Sequence, residues 1–284
     1  MAQIGGADRS NRANLELAQG KIADSRVQVV SEFLIANTVK ALILDLDGTV
    51  ANTHAIHAKS FFLAAEVLFN RDVTVEEQEL IGDPCRLSET QISKLIVQTM
   101  CAEQFSTQDS NEFDLQMAAR LIQLRRKFFK DLLRSEQLLL NLGIDELIHD
   151  CSVRGIRLGI CTGSPYAIVN ILLENFNLRD DFEDDIIISA DDYRGHDGKP
   201  APYCWELAVK FSGLKPEEIL ALENNSMAVA SMRAGLNTIL CPSEYGLTQV
   251  TQVPYLANRL KDYTTLPDVS TSIVSSWQDV RFSY

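Results

Sequence analysis

The feature that most restricts what this chain can become is the run Val39–Leu46 (VKALILDL), stopped by Asp47-Gly48-Thr49. Apolar residues at successive positions, without the alternation of a half-exposed strand, suit a strand buried on both faces. The Asp-Gly pair then requires a sharp loop. A strand of this kind needs helices on either side of its sheet, and the rest of the sequence supplies them.

From about Thr53 to Leu140 the pattern is almost wholly helical, over Ala55–Phe69, Glu76–Leu80, Glu89–Gln98 and Leu115–Leu133, with a polar loop near residues 100–111. Beyond it, helix and strand alternate. Helices are predicted over Ile144–Cys151, Pro165–Asn175, Pro202–Phe211 and Ala228–Ala234, and strands over Ile156–Cys161, Ile186–Ser189, Ile219–Leu222 and Thr238–Leu240. The alternation predicts an α/β fold, a doubly wound parallel sheet with helices on both faces. The organisation read from the sequence is a flexible N-terminal arm over residues 1–30, a core over 31–52 and 141–284, and an inserted helical cap domain over 53–140. In such sheets ligands sit outside the carboxyl ends of the strands, and the inserted block is expected to cover that edge as a lid.

At the end of the first strand stand Asp45 and Asp47, two positions apart, so an extended backbone sends both carboxylates toward one crevice. Two acids there repel unless a cation compensates. Mg²⁺, which binds through one or two carboxylates together with substrate phosphate, is the natural choice. Thr162-Gly163-Ser164 follows the strand Ile156–Cys161 just before a helix, where a hydroxyl and open backbone N–H groups suit an anion. Lys199 lies in the stiff turn Gly198-Lys199-Pro200-Ala201-Pro202, and Glu223-Asn224-Asn225-Ser226 places an acid and two amides after the strand Ile219–Leu222. Singly, each has an ordinary explanation as a turn, a helix cap or a solvated lysine. Together, these groups suited to phosphate, in this order along the alternating strands and helices, are hard to obtain by accident.

Over about residues 39–245 the chain resembles the haloacid-dehalogenase-like hydrolase superfamily, and within it the beta-phosphoglucomutase-like phosphatase branch. DLDGT at Asp45–Thr49 matches the first motif, Thr162 the second, Lys199 in GKPAP the third, and Glu223-Asn224 stands where the fourth lies. The resemblance implies a Rossmann-like core with a helical cap, and a Mg²⁺-dependent phosphatase of small phosphorylated metabolites, sugar phosphates foremost, working through an aspartyl-phosphate intermediate. Asp45 would attack phosphorus. Asp47 would protonate the leaving oxygen and then activate water. Thr162 would hold a phosphoryl oxygen, with Gly163 and Ser164 joining in substrate binding, while Lys199 would neutralise charge on the phosphate and on Asp45.

The metal would be held by Asp45, by the backbone carbonyl of Asp47 and by the fourth motif. That motif departs from the family's usual pattern, which ends in Asp. Counting back from Ala234-Gly235 puts Glu223 at the metal position, whereas reading Glu223 as the leading acid makes Asn224 the ligand. Glu223 is the preferred ligand, and either arrangement weakens or reshapes a Mg²⁺ site. His57 matches a histidine that this branch often places at the start of the lid, and equally suits packing on a helix. Gly82-Asp83-Pro84-Cys85-Arg86 resembles the substrate loop, with Arg86 a candidate for gripping a distal phosphate or sugar group. Arg125-Arg126-Lys127 reads as a solvated helix face.

Several function classes are disfavoured. A net charge of −13 without clustered Lys and Arg argues against a nucleic-acid partner. No apolar run approaches the roughly 20 residues of a membrane span, and no signal-like or transit-like stretch opens the chain. The six cysteines show no zinc spacing and read as reduced thiols of a cytoplasmic protein. Dehalogenase chemistry is disfavoured by the acid at Asp47, and phosphonatase chemistry by the lack of a Schiff-base lysine other than Lys59. A phosphosugar mutase and a degenerate, noncatalytic binding protein of the same fold stay open as alternatives, and the oligomeric state is undetermined.

Overall fold

The structure, a computed structural model, describes residues 27–29, 32–82, 84, 88–101, 110–225, 227–241, 270–274 and 276–283. Its strands are Val27–Val29 (β1), Phe33–Ile35 (β2), Ala41–Leu44 (β3), Arg157–Cys161 (β4), Ile187–Ile188 (β5), Ile219–Glu223 (β6), Asn237–Leu240 (β7), Thr271–Ile273 (β8) and Val280–Phe282 (β9). The α-helices are His54–Phe69 (α1), Val75–Ile81 (α2), Glu89–Cys101 (α3), Ser110–Ser135 (α4), Ile144–Arg154 (α5), Tyr166–Asn175 (α6), Tyr203–Ser212 (α7) and Ala228–Arg233 (α8). The chain divides into two compact units, one of residues 1–52 with 139–284 and one of residues 53–138.

In the first unit seven strands form one sheet in the order β1-β8-β7-β6-β3-β4-β5, and every pairing is parallel. β3 lies between β6 and β4, with Leu44 level with Leu222 on one side and Ile160 on the other. All four residues of β3 are fully buried. Because side chains alternate, Leu42 and Leu44 fill one face of the sheet while Ala41 and Ile43 fill the other. On the latter face Ile43, Ala221 and Ile188 pack with Trp205 and Ala208 of α7 and Ala230 of α8. The run of unbroken hydrophobicity therefore has its physical reason in helices on both sides. After β3 the chain winds first toward β4 and β5 and later toward β7 and β8. The reversal opens a crevice at the carboxyl ends of β3 and β6, where ligands of such sheets sit.

Four strands were not legible as such in the sequence. Val27–Val29, assigned from sequence to the loose arm of residues 1–30, is an edge strand in register with Thr271–Ile273; residues 1–26 lie outside the described ones. β2 and β9 form a separate parallel pair, Phe33 beside Val280. A three-residue strand carries too little pattern to be read alone, and its partner here is more than 200 positions away. Near the C-terminus Thr271–Ile273 joins the seven-stranded sheet and Val280–Phe282 pairs with β2. Trp277 is buried, and the backbone at Trp277–Gln278 presses on Gly143, where an added Cβ would stand 2.5 Å from the Gln278 nitrogen.

The second unit consists of α1 to α4. Its core is built from Phe61, Ala64 and Ala65 of α1, Ile92 and Ile96 of α3 and Leu121 of α4. Thr74 starts α2 with a reciprocal cap: its hydroxyl accepts from the Glu77 N–H at 3.2 Å and the Glu77 carboxylate accepts from the Thr74 N–H at 2.9 Å. Among the described residues no helix is long and apolar enough to cross a membrane.

Ile43 tests how far the central strand supports the first unit. Ile43→Ala should cost about 2–5 kcal/mol, the range for a large-to-small change in a packed core. In urea unfolding this would be read as a lower midpoint at unchanged slope.

Candidate active site

The end of β3 sets the centre of the site. The Asp45 backbone N–H donates to the Leu222 carbonyl at 2.9 Å, so one step past the last paired residues Asp45 lies level with Glu223 on β6 and Cys161 on β4. Lys199 comes from the loop between β5 and α7 and reaches this row from the side. Its ammonium donates to Asp45 Oδ1 at 2.7 Å, to Glu223 Oε1 at 2.6 Å and to the Cys161 carbonyl at 2.8 Å. Those are all three of its protons. The side chains of Lys199, Asp45 and Glu223 are 8%, 10% and 0% exposed, and the Trp205 ring lies 4.9 Å from the ammonium. Among the sequence candidates, Asp45, Lys199 and Glu223 are thus one buried, hydrogen-bonded triad.

Burial governs its electrostatics. It pushes the Asp45 carboxyl above its ordinary range, although Lys199 pulls in the opposite direction. It likewise raises Glu223 to about 8, again against the pull of Lys199. Burial opposes the charge on Lys199 too, but Asp45 and Glu223 outweigh it and keep the ammonium protonated well above the usual lysine range. Buried charges of this kind are tolerated only when paired and hydrogen-bonded.

Two loops complete the arrangement. After β3 the chain turns at Gly48, with φ +89°, and a Cβ there would stand 2.1 Å from Asn224 Nδ2. Only glycine lets the Asn224 amide lie against this turn. Asn141 fastens the same turn, its amide donating to the carbonyls of Gly48 at 2.7 Å and Thr49 at 2.9 Å, and Thr49 donates to Asp45 Oδ2 at 3.3 Å. After β4, Tyr193 donates to the Thr162 carbonyl at 3.0 Å. The Thr162 hydroxyl oxygen accepts from the Ser164 N–H at 3.1 Å, which leaves its own proton to offer. Ser164 Oγ donates to Asp47 Oδ2 at 2.6 Å, joining the two loops. Asn141, Tyr193 and Trp205 carry no motif and were missed by the sequence reading; their parts follow from contacts distant in sequence.

A Mg²⁺ ion at this edge would need one or two carboxylate oxygens free to face it. Glu223 Oε2 is buried and has no hydrogen-bond partner among the described residues, an orphaned acceptor beside the Asp45 carboxylate. Asn224 Oδ1 already accepts from Asn225 Nδ2 at 2.8 Å. Among the described residues no three His, Cys, Asp or Glu side chains are gathered for a metal. Mg²⁺ keeps water and needs only one or two carboxylates from the protein. The donor set fits, with Glu223 better placed than Asn224.

The remaining candidates belong to the second unit. His57, on α1, stacks on Phe129 with ring centroids 4.1 Å apart, and the guanidinium of Arg125 hydrogen-bonds its Nδ1. Arg125 is therefore not part of a solvated face. Its side chain is 12% exposed, lies over Phe61 and Phe129 and pairs with Glu89. Helical period could not reveal this, because a guanidinium packs between aromatic faces as well as it meets water. Arg126 and Lys127 are exposed as expected. Arg86 lies outside the described residues.

Two consequences can be measured on chelator-treated protein. Lys199→Met leaves two buried acids uncompensated and should lower the unfolding free energy by about 3–5 kcal/mol. In the parent chain Glu223 holds its proton up to about pH 8, whereas the unfolded carboxyl releases it near the ordinary value of about 4.3. The stabilisation is thus complete below that value and lost as pH rises through about 8. The melting temperature should fall from pH 5.5 to 8, and Glu223→Gln should reduce the slope; a slope unchanged in that variant would refute the assignment.

The chain was compared with known proteins once this geometry was established. The haloacid dehalogenase-like hydrolase family matches residues 39–234. Protein CbbY of Rhodobacter capsulatus is 30% identical over 214 residues, 73% of this chain and 87% of CbbY. YhcW of Bacillus subtilis (strain 168) is 33% identical over 125 residues, 44% of this chain and 54% of YhcW, so that match spans about half of the relative's length. A CbbY variant from Rhodobacter sphaeroides, crystallised with xylulose-(1,5)bisphosphate, has the same fold, with a TM-score of 0.56 and 21% identity over 84% of this chain and 95% of that one. Matched by the family over more than half of its length, the chain belongs to the haloacid dehalogenase-like hydrolases.

Proposed function

We propose that this hydrolase is a phosphoric monoester hydrolase acting on a small phosphorylated metabolite, a sugar phosphate by class, through an aspartyl-phosphate on Asp45 and with the help of Mg²⁺. The observation that carries the reading is the lysine ammonium held between Asp45 and Glu223 at the carboxyl ends of β3, β4 and β6. A nucleophilic carboxylate must meet a dianionic phosphate, and a fixed buried cation lowers the repulsion between them. Lys199 holds Asp45 by one oxygen, which orients the other, and Thr162 has a hydroxyl proton to give to a phosphoryl oxygen. Asp47, on the adjoining turn, serves as acid to the leaving oxygen and then as base to the water that cleaves the intermediate. Mg²⁺, when bound, would add positive charge at the phosphoryl oxygens. Asp45, the Asp47 backbone carbonyl and Glu223 are the groups that would hold it. The sugar-phosphate class is supported by the bisphosphorylated sugar bound to the Rhodobacter sphaeroides relative.

A panel of phosphomonoesters assayed for phosphate release with Mg²⁺ tests the reading, with Asp45→Asn beside the parent chain. Release by the parent and none by the variant is expected; no release from any compound would favour a binding protein of the same fold. Glu223→Ala should raise the Mg²⁺ needed for half-maximal rate by at least the ~10–100-fold typical of disturbing a metal's surroundings. Asn224→Ala should raise it far less, and the reverse order would move the ligand to Asn224.

A further inference from the structure

The triad accounts for Lys199, but the hydrogen bond from Ser164 to Asp47 has no part in holding phosphate. Ser164 is fixed on three sides. Its N–H donates to the Thr162 hydroxyl oxygen at 3.1 Å, its carbonyl accepts from the Ala190 N–H at 3.0 Å, and Pro165 follows it directly. A hydroxyl has a single proton to donate. Here that proton goes to Asp47 Oδ2 at 2.6 Å, across 117 positions of sequence, a length typical of a hydrogen bond to a charged acceptor. Thr162, two residues earlier, keeps its own proton for an anion. The two hydroxyls of one loop are thus divided between two tasks, and only one of them suits phosphate.

We propose that Ser164 is a positioning residue for Asp47 and not, as its place in the Thr162-Gly163-Ser164 loop suggests, a phosphate-binding one. Its hydroxyl sets the rotation of the Asp47 carboxyl, so that the acid's proton is aimed at the leaving oxygen. The inference rests on the phosphatase reading above. In the step concerned, an Asp45 oxygen forms its bond to phosphorus while the bond from phosphorus to the leaving oxygen breaks. That oxygen takes the proton of Asp47, giving an alcohol, the aspartyl phosphate and the Asp47 carboxylate. Ser164 neither gains nor loses a proton in this balance. Its contribution is orientation, and it matters in proportion to how much the leaving group needs protonation.

Leaving groups of different basicity separate this role from phosphate binding. The values of kcat/KM, which report the steps through departure of the leaving group, are measured for the parent chain, Ser164→Ala and Ser164→Thr. The two substrates are glycerol 2-phosphate, whose alkoxide must be protonated, and p-nitrophenyl phosphate, whose phenolate leaves unaided. Ser164→Ala should lose about 10-fold or more on the first, within the range of acid–base assistance, and less than about 3-fold on the second. Ser164→Thr, which keeps the hydroxyl, should recover most of the loss. Equal losses on both substrates would show that Ser164 meets the phosphoryl group, and no loss on either would show the hydrogen bond to be idle; each overturns the proposal. A parent chain inactive on both substrates would instead remove the phosphatase reading, and this inference with it.

Discussion

Everything else at the sheet's carboxyl edge is arranged around a lysine ammonium enclosed by two carboxylates and a backbone carbonyl. Taking these three ionisable groups out of water is expensive, and the hydrogen bonds among them offset that cost only where the geometry is close and every ammonium proton is used. Here the parallel register supplies the geometry: Asp45, Glu223 and the Cys161 carbonyl are successive in space because β6, β3 and β4 are hydrogen-bonded neighbours. Lys199 then fixes the loop after β5 to the ends of three strands. A single orphaned oxygen, Glu223 Oε2, is what this closed arrangement leaves over, and it is the group that an incoming cation would satisfy.

The loops around the triad are held by uncharged contacts whose value lies in positioning. Asn141 closes the turn after β3, Gly48 makes room for the Asn224 amide, and Tyr193 braces the carbonyl of Thr162. Glu223 meets Lys199 through one oxygen, and its other oxygen has no hydrogen-bond partner among the described residues. The second unit has its own polar cluster, in which Arg125 lies between two aromatic rings and holds His57. There a basic residue whose helical period suggests a solvated face packs on aromatic rings and pairs with Glu89 of another helix.

The sequence by itself determined the wound core, because unbroken apolar runs and the helix-strand alternation are local properties that only a covered parallel sheet satisfies. It also marked Asp45 and Glu223, each at the end of a strand readable from its neighbours, and Lys199, in a turn before a helix, the three side chains that the structure joins by hydrogen bonds. Tertiary structure decided what is non-local. β1, β2, β8 and β9 are too short to carry a pattern and exist through partners at the other end of the chain. Which side-chain oxygens of Glu223 and Asn224 already have a donor depends on how the loops pack, and the contact of Ser164 with Asp47 joins loops 117 residues apart. Hydrogen-bond partners across such distances depend on how loops meet in space, and no period or spacing along the chain encodes them.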